Sequence, residues 1–165
     1  MAPDHFILSK ETAYKKIQRM AYEISERNMD EKQIILAGIK ESGLIIANLL
    51  HGFLKEIFKG EIIIIGILLD KKNPKSISLS SEIDFNNKII IITDDVANTG
   101  KTLLYALKPF LNFYPKKIQA LVLVERSHKE FPVSPDYVGL SISTALSEKI
   151  IVETDGKEIV GARIE

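Results

Sequence analysis

The sequence predicts a single α/β domain in which a central, mainly parallel β-sheet is flanked by helices. Unbroken apolar segments of strand length alternate with segments of helical periodicity, as is typical of parallel sheets that are buried on both faces. The chain of 165 residues has no low-complexity tract and no Gly/Ser linker, which favours one domain over residues 1–165. The long apolar segments are QIILAG (33–38), EIIIIGILLD (61–70), KIIIIT (88–93) and KIQALVLVE (117–125).

Helical periodicity indicates three helices. Ser9 is a candidate N-cap for an amphipathic helix over residues 10–27, whose apolar residues recur at spacings of three and four. A mostly apolar helix is predicted over residues 43–57. A third helix is predicted over residues 100–112, with one apolar side formed by Leu103, Leu107, Phe110 and Leu111.

The remaining segments are predicted as loops and short strands. Residues 71–87 are polar and rich in turn-forming residues, and residues 126–136 are also turn-prone. Short strands are predicted at 137–142, 149–153 and 158–163.

Composition excludes several kinds of site. The chain has no cysteine, so disulfides, thiolate metal sites and thiol nucleophiles are excluded. Lys plus Arg (22) equals Asp plus Glu (22), so no overall positive field attracts nucleic acid. No apolar run approaches the roughly 20 residues that span a bilayer, and the N-terminal sequence lacks the apolar core of an export signal. We therefore expect a soluble, cytoplasmic protein without a membrane partner.

The segment IIIITDDVANTGKT, residues 89–102, combines an apolar strand with features of a phosphate site. Ligands of parallel α/β sheets bind at the carboxyl ends of the strands, where Thr93, Asp94 and Asp95 are predicted to emerge. Residues 96–101 then turn the chain into a helix whose first amides lack an intrahelical acceptor. Such amides are a natural site for phosphate.

The ending Gly-Lys-Thr suggests a nucleoside-triphosphate loop, but that pattern requires glycine at position 95. Asp95 would bring a negative charge into a ring of amides that binds a triphosphate. A ligand with one terminal phosphate and two neighbouring hydroxyls fits better. The amides of residues 97–101 and the hydroxyls of Thr99 and Thr102 would hold the phosphate, while Asp94 and Asp95 would accept hydrogen bonds from the diol. Ribose 5-phosphate has this shape.

The motif ITDDVANTGKT resembles the phosphoribosyl pyrophosphate motif of the type I phosphoribosyltransferases. The resemblance extends to the PyrR group, which comprises bifunctional pyrimidine regulators that bind messenger RNA and have uracil phosphoribosyltransferase activity. It implies the type I phosphoribosyltransferase fold, with a small hood beside the central sheet. Further blocks that carry the resemblance are RMAYEISERN (19–28), ILAGIKESGLIIA (35–47), LVLVERSHKEFPVSPDYVG (121–139) and SEKIIV (147–152).

This resemblance implies an enzyme that transfers ribose 5-phosphate from phosphoribosyl pyrophosphate to a pyrimidine base, with uracil expected. Mg²⁺ is the implied cofactor. It would bridge pyrophosphate and ribose oxygens near Asp94 and Asp95 and have no direct protein ligand. The implied partners are phosphoribosyl pyrophosphate and a pyrimidine base or nucleotide, and a homodimer or tetramer is expected.

The resemblance also assigns roles to individual residues. Asp94 and Asp95 are the implied catalytic residues and hold the ribose hydroxyls, and residues 71–87 match the mobile hood loop of relatives. The implied 5-phosphate loop consists of Val96, Ala97, Asn98, Thr99, Gly100, Lys101 and Thr102. The implied pyrophosphate loop consists of Lys40, Glu41, Ser42 and Gly43, and the implied hood and base side includes Lys71, Lys72, Arg126 and His128.

Two segments depart from the PyrR pattern. PyrR proteins usually have Thr-Arg-Gly in the pyrophosphate loop, where this chain has Glu41, Ser42 and Gly43. A new acid beside pyrophosphate is unfavourable by on the order of 1 kcal/mol. The hood begins with Asp-Lys-Lys-Asn (70–73) instead of a Tyr-Arg-Asp-Asp type sequence, and lysine lacks the bidentate fork of arginine. We therefore expect weak turnover, with a non-catalytic sensor of phosphoribosyl pyrophosphate or nucleotide as the alternative.

RNA is a further partner that the resemblance implies. Relatives bind RNA with a basic face that includes threonine and histidine of the first helix, where this chain has Gln18 and Tyr22. Ser134 and Leu140 also stand where basic residues are common. The basic residues that remain are Arg19, Arg27, Arg126, His128 and Lys129. Because phosphate contacts dominate affinity for nucleic acid, the lost cations predict weak RNA binding.

Overall fold

The computed structural model describes residues 6–165, in which strands and helices alternate over much of the chain. Residues 1–5, which the predicted single domain includes, lie outside the described residues. The strands are β1 (Phe6–Ser9), β2 (Gln33–Ile39), β3 (Glu61–Leu68), β4 (Ser78–Leu79), β5 (Ile89–Ala97), β6 (Lys117–Arg126), β7 (Tyr137–Ile142), β8 (Ile150–Thr154) and β9 (Ile159–Ile164). The helices are α1 (Lys10–Arg27), α2 (Ser42–Ile57) and α3 (Lys101–Ala106), followed by a 3-10 helix over Lys108–Asn112.

The strands form a large, mainly parallel sheet and a small antiparallel sheet. The large sheet has the order β4-β3-β2-β5-β6-β7. Its neighbours run parallel, apart from β4, which is antiparallel to β3. The small sheet has the order β1-β9-β8. The predicted α/β class with a central, mainly parallel sheet is confirmed.

Both faces of the large sheet are buried, which explains the unbroken apolar segments. Successive side chains of a strand point to opposite faces. On β5, Ile89 and Ile91 pack in the core on the side of α1 and α2. Ile90 and Ile92 pack in the opposite core, together with Leu103 of α3. A strand between two such cores needs an apolar residue at every position.

The first two helices agree closely with the sequence analysis. The hydroxyl of Ser9 accepts a hydrogen bond from the amide of Thr12 at 3.2 Å, so the predicted N-cap of α1 is confirmed. Helix α2 begins at Ser42, one residue before its predicted start. No helix within residues 6–165 combines the length and apolar composition needed to cross a bilayer.

The third predicted helix is shorter than expected. An α-helix spans only Lys101–Ala106, and Pro109 lies in the first turn of the 3-10 helix that follows. Proline has no N–H with which to continue an α-helical hydrogen-bond ladder, so the helix changes type there. Leu111 is 68% exposed, and its predicted place on the apolar side was therefore wrong.

Strand β5 extends further than the sequence analysis predicted. Its pairing with β6 continues through Val96 and Ala97, which lie opposite Val124 and Glu125. Asp94 and Asp95 are therefore residues of the strand itself, and the turn begins only at Asn98. Short strands β1 and β4 were not predicted, because two to four residues are too few to establish a period.

The start of α2 lies directly against β5, without a side chain between them. A Cβ atom added to Gly43 would lie 2.3 Å from the carbonyl oxygen of Thr93. The hydroxyl of Thr93 donates to the Gly43 carbonyl at 2.8 Å. This close approach fixes the first turn of α2 beside the carboxyl end of β5.

Two glycines of α2 provide a matched test of this contact. Gly43→Ala is expected to lower the free energy of unfolding by about 1–3 kcal/mol, because the methyl group overlaps the β5 backbone. Gly52→Ala, which meets no atom within 4 Å, is expected to raise it by about 0.5–1 kcal/mol through reduced backbone entropy of the unfolded chain. Urea denaturation measures both, and equal effects would contradict the close approach.

Candidate functional site

Two consecutive carboxylates lie inside strand β5. Asp94 is 1% exposed and Asp95 is 8% exposed. One oxygen of Asp94 (Oδ1) accepts a hydrogen bond from the amide of Asp95 at 2.9 Å, and Oδ1 of Asp95 accepts one from the amide of Val96 at 2.8 Å. These bonds to the strand's own backbone fix the orientation of both acids.

Lys71 neutralises part of this buried charge. Its Nζ lies 2.9 Å from Oδ1 of Asp94 and 3.5 Å from Oδ1 of Asp95. The lysine lies between β3 and β4, at the start of the predicted hood loop of residues 71–87. One ammonium group therefore interacts with two carboxylates at the carboxyl end of the central strand.

The buried environment shifts the ionisation of these groups. Burial raises the pKa of Asp94 to about 8, and the charge of Asp95 adds to this shift, while Lys71 opposes it. Burial alone would lower the pKa of Lys71, but the charges of Asp94 and Asp95 outweigh it and raise that pKa above its ordinary value. The acids therefore favour the charged form of Lys71, whereas burial disfavours the charged form of Asp94.

A cavity connects Asp94 with the predicted 5-phosphate loop. Gly100 has a φ angle of 87°, a left-handed conformation that glycine adopts without strain, and this lets the chain turn sharply into α3. The cavity also extends to Leu103, which the sequence analysis did not select. The cavity is lined by Lys71, Asp94, Val96, Ala97, Asn98, Thr99, Gly100, Thr102 and Leu103.

Two neighbouring segments anchor this loop. The carbonyl of Thr99 accepts hydrogen bonds from the amides of Glu130 and Phe131, both at 3.0 Å. The side-chain amide of Asn98 contacts the carbonyl and the amide of Ile150, each at 3.4 Å. The groups that anchor Thr99 and Asn98 belong to the backbone of Glu130, Phe131 and Ile150. Backbone groups carry no signal in the sequence, so these contacts were not predicted.

The predicted pyrophosphate loop lies at the end of β2, next to β5 in the sheet. The amide of Lys40 donates to the carbonyl of Ile67 at 3.0 Å, and the peptide bond between Lys40 and Glu41 is cis. Glu41 is exposed and makes no side-chain hydrogen bond that caps α2. None of residues 40–43, all of which the structure describes, lines the cavity beside the phosphate loop.

The other predicted site residues lie outside the cavity. Lys72 is exposed, and its amide donates to the carboxylate of Asp70. The guanidinium of Arg126 donates to the carbonyl of Glu148. His128 is exposed in the segment after β6, and Lys101 is half-buried at the start of α3. Of the hood and base-side residues, the structure brings only Lys71 to the cavity.

The donor set fits Mg²⁺ bound through a ligand better than Mg²⁺ held by protein alone. Within residues 6–165 no group of three or more His, Asp or Glu side chains is arranged to hold a metal ion. Asp94 and Asp95 nevertheless offer two hard carboxylates. Mg²⁺ is commonly bound by one or two carboxylates together with waters and substrate phosphates.

Comparison with known proteins decides the family. The model of the phosphoribosyl transferase domain matches residues 6–158. The chain belongs to the phosphoribosyltransferase family. The chain is 37% identical over 153 residues to the bifunctional protein PyrR of Streptococcus pneumoniae strain CGSP14, with 89% of this chain and 88% of that protein covered. The predicted PyrR-like, type I assignment is confirmed.

Solved structures confirm the fold of this chain. The hypoxanthine phosphoribosyltransferase of Trypanosoma cruzi matches with a TM-score of 0.79 at 16% identity, over 96% of this chain and 94% of the other. A hypoxanthine-guanine phosphoribosyltransferase from Bacillus anthracis matches with a TM-score of 0.71 at 19% identity, over 92% and 87%. At these identities, the similarity shows a shared fold and does not show which base this chain uses.

The raised pKa of Asp94 predicts a pH-dependent stability. An unfolded aspartate has a pKa of about 3.9, whereas that of folded Asp94 is about 8. Between these values the folded state binds more protons, so stability falls as pH rises. Asp94→Asn removes this titration while keeping the shape of the side chain. Urea denaturation between about pH 5 and about pH 8 should show a flatter profile for the variant, and parallel profiles would contradict the assignment.

Proposed function

We propose that this protein transfers ribose 5-phosphate from phosphoribosyl pyrophosphate to a pyrimidine base, with uracil as the preferred base. The observation that carries the proposal is the single cavity shared by Asp94 and the loop from Val96 to Thr102. A buried acid next to a tight turn suits a ligand that carries a diol at one end and a phosphate at the other. The choice of uracil rests on the likeness to PyrR.

The proposed roles follow from the chemistry of each group. Asp94 and Asp95 accept hydrogen bonds from the ribose hydroxyls. Hydroxyls of Thr99 and Thr102 and the amides of the turn donate to the 5-phosphate. In the free protein, Thr99 Oγ1 accepts from the amide of Lys101 at 3.2 Å, which leaves its proton available to a phosphate oxygen.

The proposed reaction replaces a bond from the anomeric carbon to oxygen with a bond to nitrogen. Pyrophosphate leaves with its bonding electrons, the sugar becomes cation-like, and a pyrimidine nitrogen bonds to the carbon and loses its proton. Mg²⁺, when bound, supplies positive charge to the leaving oxygens. The chain's own residues orient the sugar and exclude water from it. The first turn of α2, fixed against Thr93, is the proposed contact for pyrophosphate.

We also propose that the protein acts in the cytoplasm as a homodimer or tetramer. The absence of cysteine favours a reducing compartment. The end of α1 and the turn after it present large apolar side chains, with Tyr22 53% exposed and Met29 73% exposed. Exposed aromatic and methionine side chains are enriched at protein interfaces, which supports self-association there.

RNA is not part of the proposal, because most of the expected cations contact their own chain. Arg19 donates to the carbonyls of Val138 and Gly139 at 2.9 and 3.0 Å, and Arg27 lies 4.7 Å from the ring centre of Tyr137. Lys129 pairs with Glu125 at 2.6 Å, and Arg126 binds the Glu148 carbonyl. These contacts would compete with phosphate for the same cations.

A non-catalytic sensor of phosphoribosyl pyrophosphate or nucleotide is the second candidate. It is favoured by Ser42, which stands where an arginine would hold the leaving pyrophosphate. A site that keeps the ribose phosphate contacts but lacks this cation can bind the ligand without accelerating its reaction. The two candidates differ in turnover and not in binding.

Pyrophosphate release distinguishes the candidates. The protein is incubated with phosphoribosyl pyrophosphate, Mg²⁺ and each nucleobase in turn. We expect release that depends on uracil and that stops when EDTA removes Mg²⁺. Tight nucleotide binding without release under any base would favour the sensor, and neither binding nor release would contradict both candidates.

The altered pyrophosphate loop predicts a gain of activity. The double change Glu41→Thr and Ser42→Arg removes a negative charge and adds a guanidinium beside the leaving group. We expect kcat to rise by about tenfold or more, as one charged hydrogen bond of about 1.5–3 kcal/mol suggests. Steady-state kinetics measures the change. Asn48→Arg with Glu56→Thr makes the same charge change on exposed positions of α2 and should leave kcat unaltered. An unchanged rate in the loop variant would show that these residues do not limit turnover.

A further inference from the structure

Lys71 occupies the same end of the site that a sugar diol needs. Its ammonium contacts both carboxylates, at 2.9 and 3.5 Å. The side chains of Asp94 and Asp95 are only 1% and 11% exposed, so solvation by water cannot replace the contact with Lys71. Removing the partner of a buried charge is strongly unfavourable. In the free protein, Lys71 is therefore the group that makes the buried acid pair tolerable.

The backbone around Lys71 allows its side chain to leave. The segment is anchored at its ends, where Ile67 and Leu68 of β3 pair with Leu79 and Ser78 of β4. Between these anchors the chain forms turns, and the side chain of Lys71 is 38% exposed. A long, flexible lysine on such a segment can release its ammonium without disturbing the large sheet.

The contacts of Asp94 make the lysine and the ligand competitors. Oδ1 of Asp94 accepts from the amide of Asp95 and from Lys71, both at 2.9 Å. A carboxylate oxygen offers about two lone pairs, so this oxygen has no free position for a ribose hydroxyl or a cation. Lys71 also lines the cavity beside the phosphate loop. A ligand group that binds this oxygen of Asp94 has to displace the ammonium.

We propose that Lys71 is a built-in counter-ion that gives up the acid pair when the magnesium-bearing phosphoribosyl ligand binds. The exchange replaces one positive charge near Asp94 and Asp95 with another, so the acids stay neutralised throughout. The released ammonium then lies at the mouth of a cavity that holds phosphate, where its charge is again favourable. This inference rests on the proposed function, because the exchange needs a ligand that brings Mg²⁺ to the acids.

Titration with Mg²⁺ in the presence of saturating ribose 5-phosphate tests the exchange without any turnover. Isothermal titration calorimetry and thermal unfolding are carried out on the unmodified protein, Lys71→Met and Lys75→Met. Lys75 lies in the same segment but is exposed and lines a different depression with Lys108 and Pro109. The control therefore makes the same charge change away from the acids.

Removal of the competing ammonium should strengthen Mg²⁺ binding. We expect the dissociation constant for Mg²⁺ to fall by about tenfold or more in Lys71→Met, since a charge at contact distance from the acids is lost. Thermal unfolding of this variant should also shift further with Mg²⁺ than that of the unmodified protein. Lys75→Met should match the unmodified protein, and Lys71→Arg, which keeps the charge, should stay within about threefold of it. Equal Mg²⁺ affinity in Lys71→Met and the unmodified protein would overturn the proposal.

Folding of the variant also gives an answer. If Lys71→Met fails to fold in EDTA but folds in Mg²⁺, the ion replaces the ammonium and the proposal is supported. Failure to fold in both conditions would overturn it, because Mg²⁺ would then be unable to take the place of Lys71. Uracil-dependent pyrophosphate release by the unmodified protein is measured separately. Absence of that release would contradict the proposed function while leaving the Mg²⁺ titrations to decide the role of Lys71.

Discussion

The structure depends on accommodating two adjacent carboxyl groups inside a hydrophobic sheet. Asp94 and Asp95 belong to a strand that begins with four isoleucines, which are buried on both faces, and continues with buried Thr93. Burial of carboxylates without a partner is very unfavourable, so everything around them has to supply positive charge or hydrogen bonds. The neighbouring amides of β5 and the ammonium of Lys71 meet this requirement in the free protein. The need to compensate these buried carboxyl groups explains why an ammonium group lies beside Asp94 and Asp95.

The rest of the site is built by packing other segments against this strand. The first turn of α2 is held by Thr93, the residue that precedes the acid pair. The turn after β5 is held by the amides of Glu130 and Phe131 and by the backbone of Ile150. Groups that are far apart in the sequence therefore share one rigid frame. The Lys71 segment contacts this frame through the ammonium of its lysine.

The sequence was sufficient for the fold and for the local motif, but not for the contacts between distant segments. Apolar segments and the Ser9 cap predicted β2, β3, β5, β6 and α1 because these signals are local. The end of β5 was misplaced, since acids inside a buried strand contradict the usual pattern and only the pairing with β6 extends it. The partner of the acids could not be read from the sequence, because Lys71 lies 23 positions before Asp94 and any nearby lysine would have looked equivalent. In the same way, no sequence pattern indicates that Arg19 contacts β7.

That contact has a consequence for how copies of the chain can associate. Strand β7 is the outermost strand on its side of the large sheet, and an open strand edge is a template for unwanted pairing with another chain. The Arg19 guanidinium occupies two of its main-chain acceptors. These contacts make the acceptors less available to a strand of a second copy. The arginine thus covers part of an edge that is otherwise available for strand pairing.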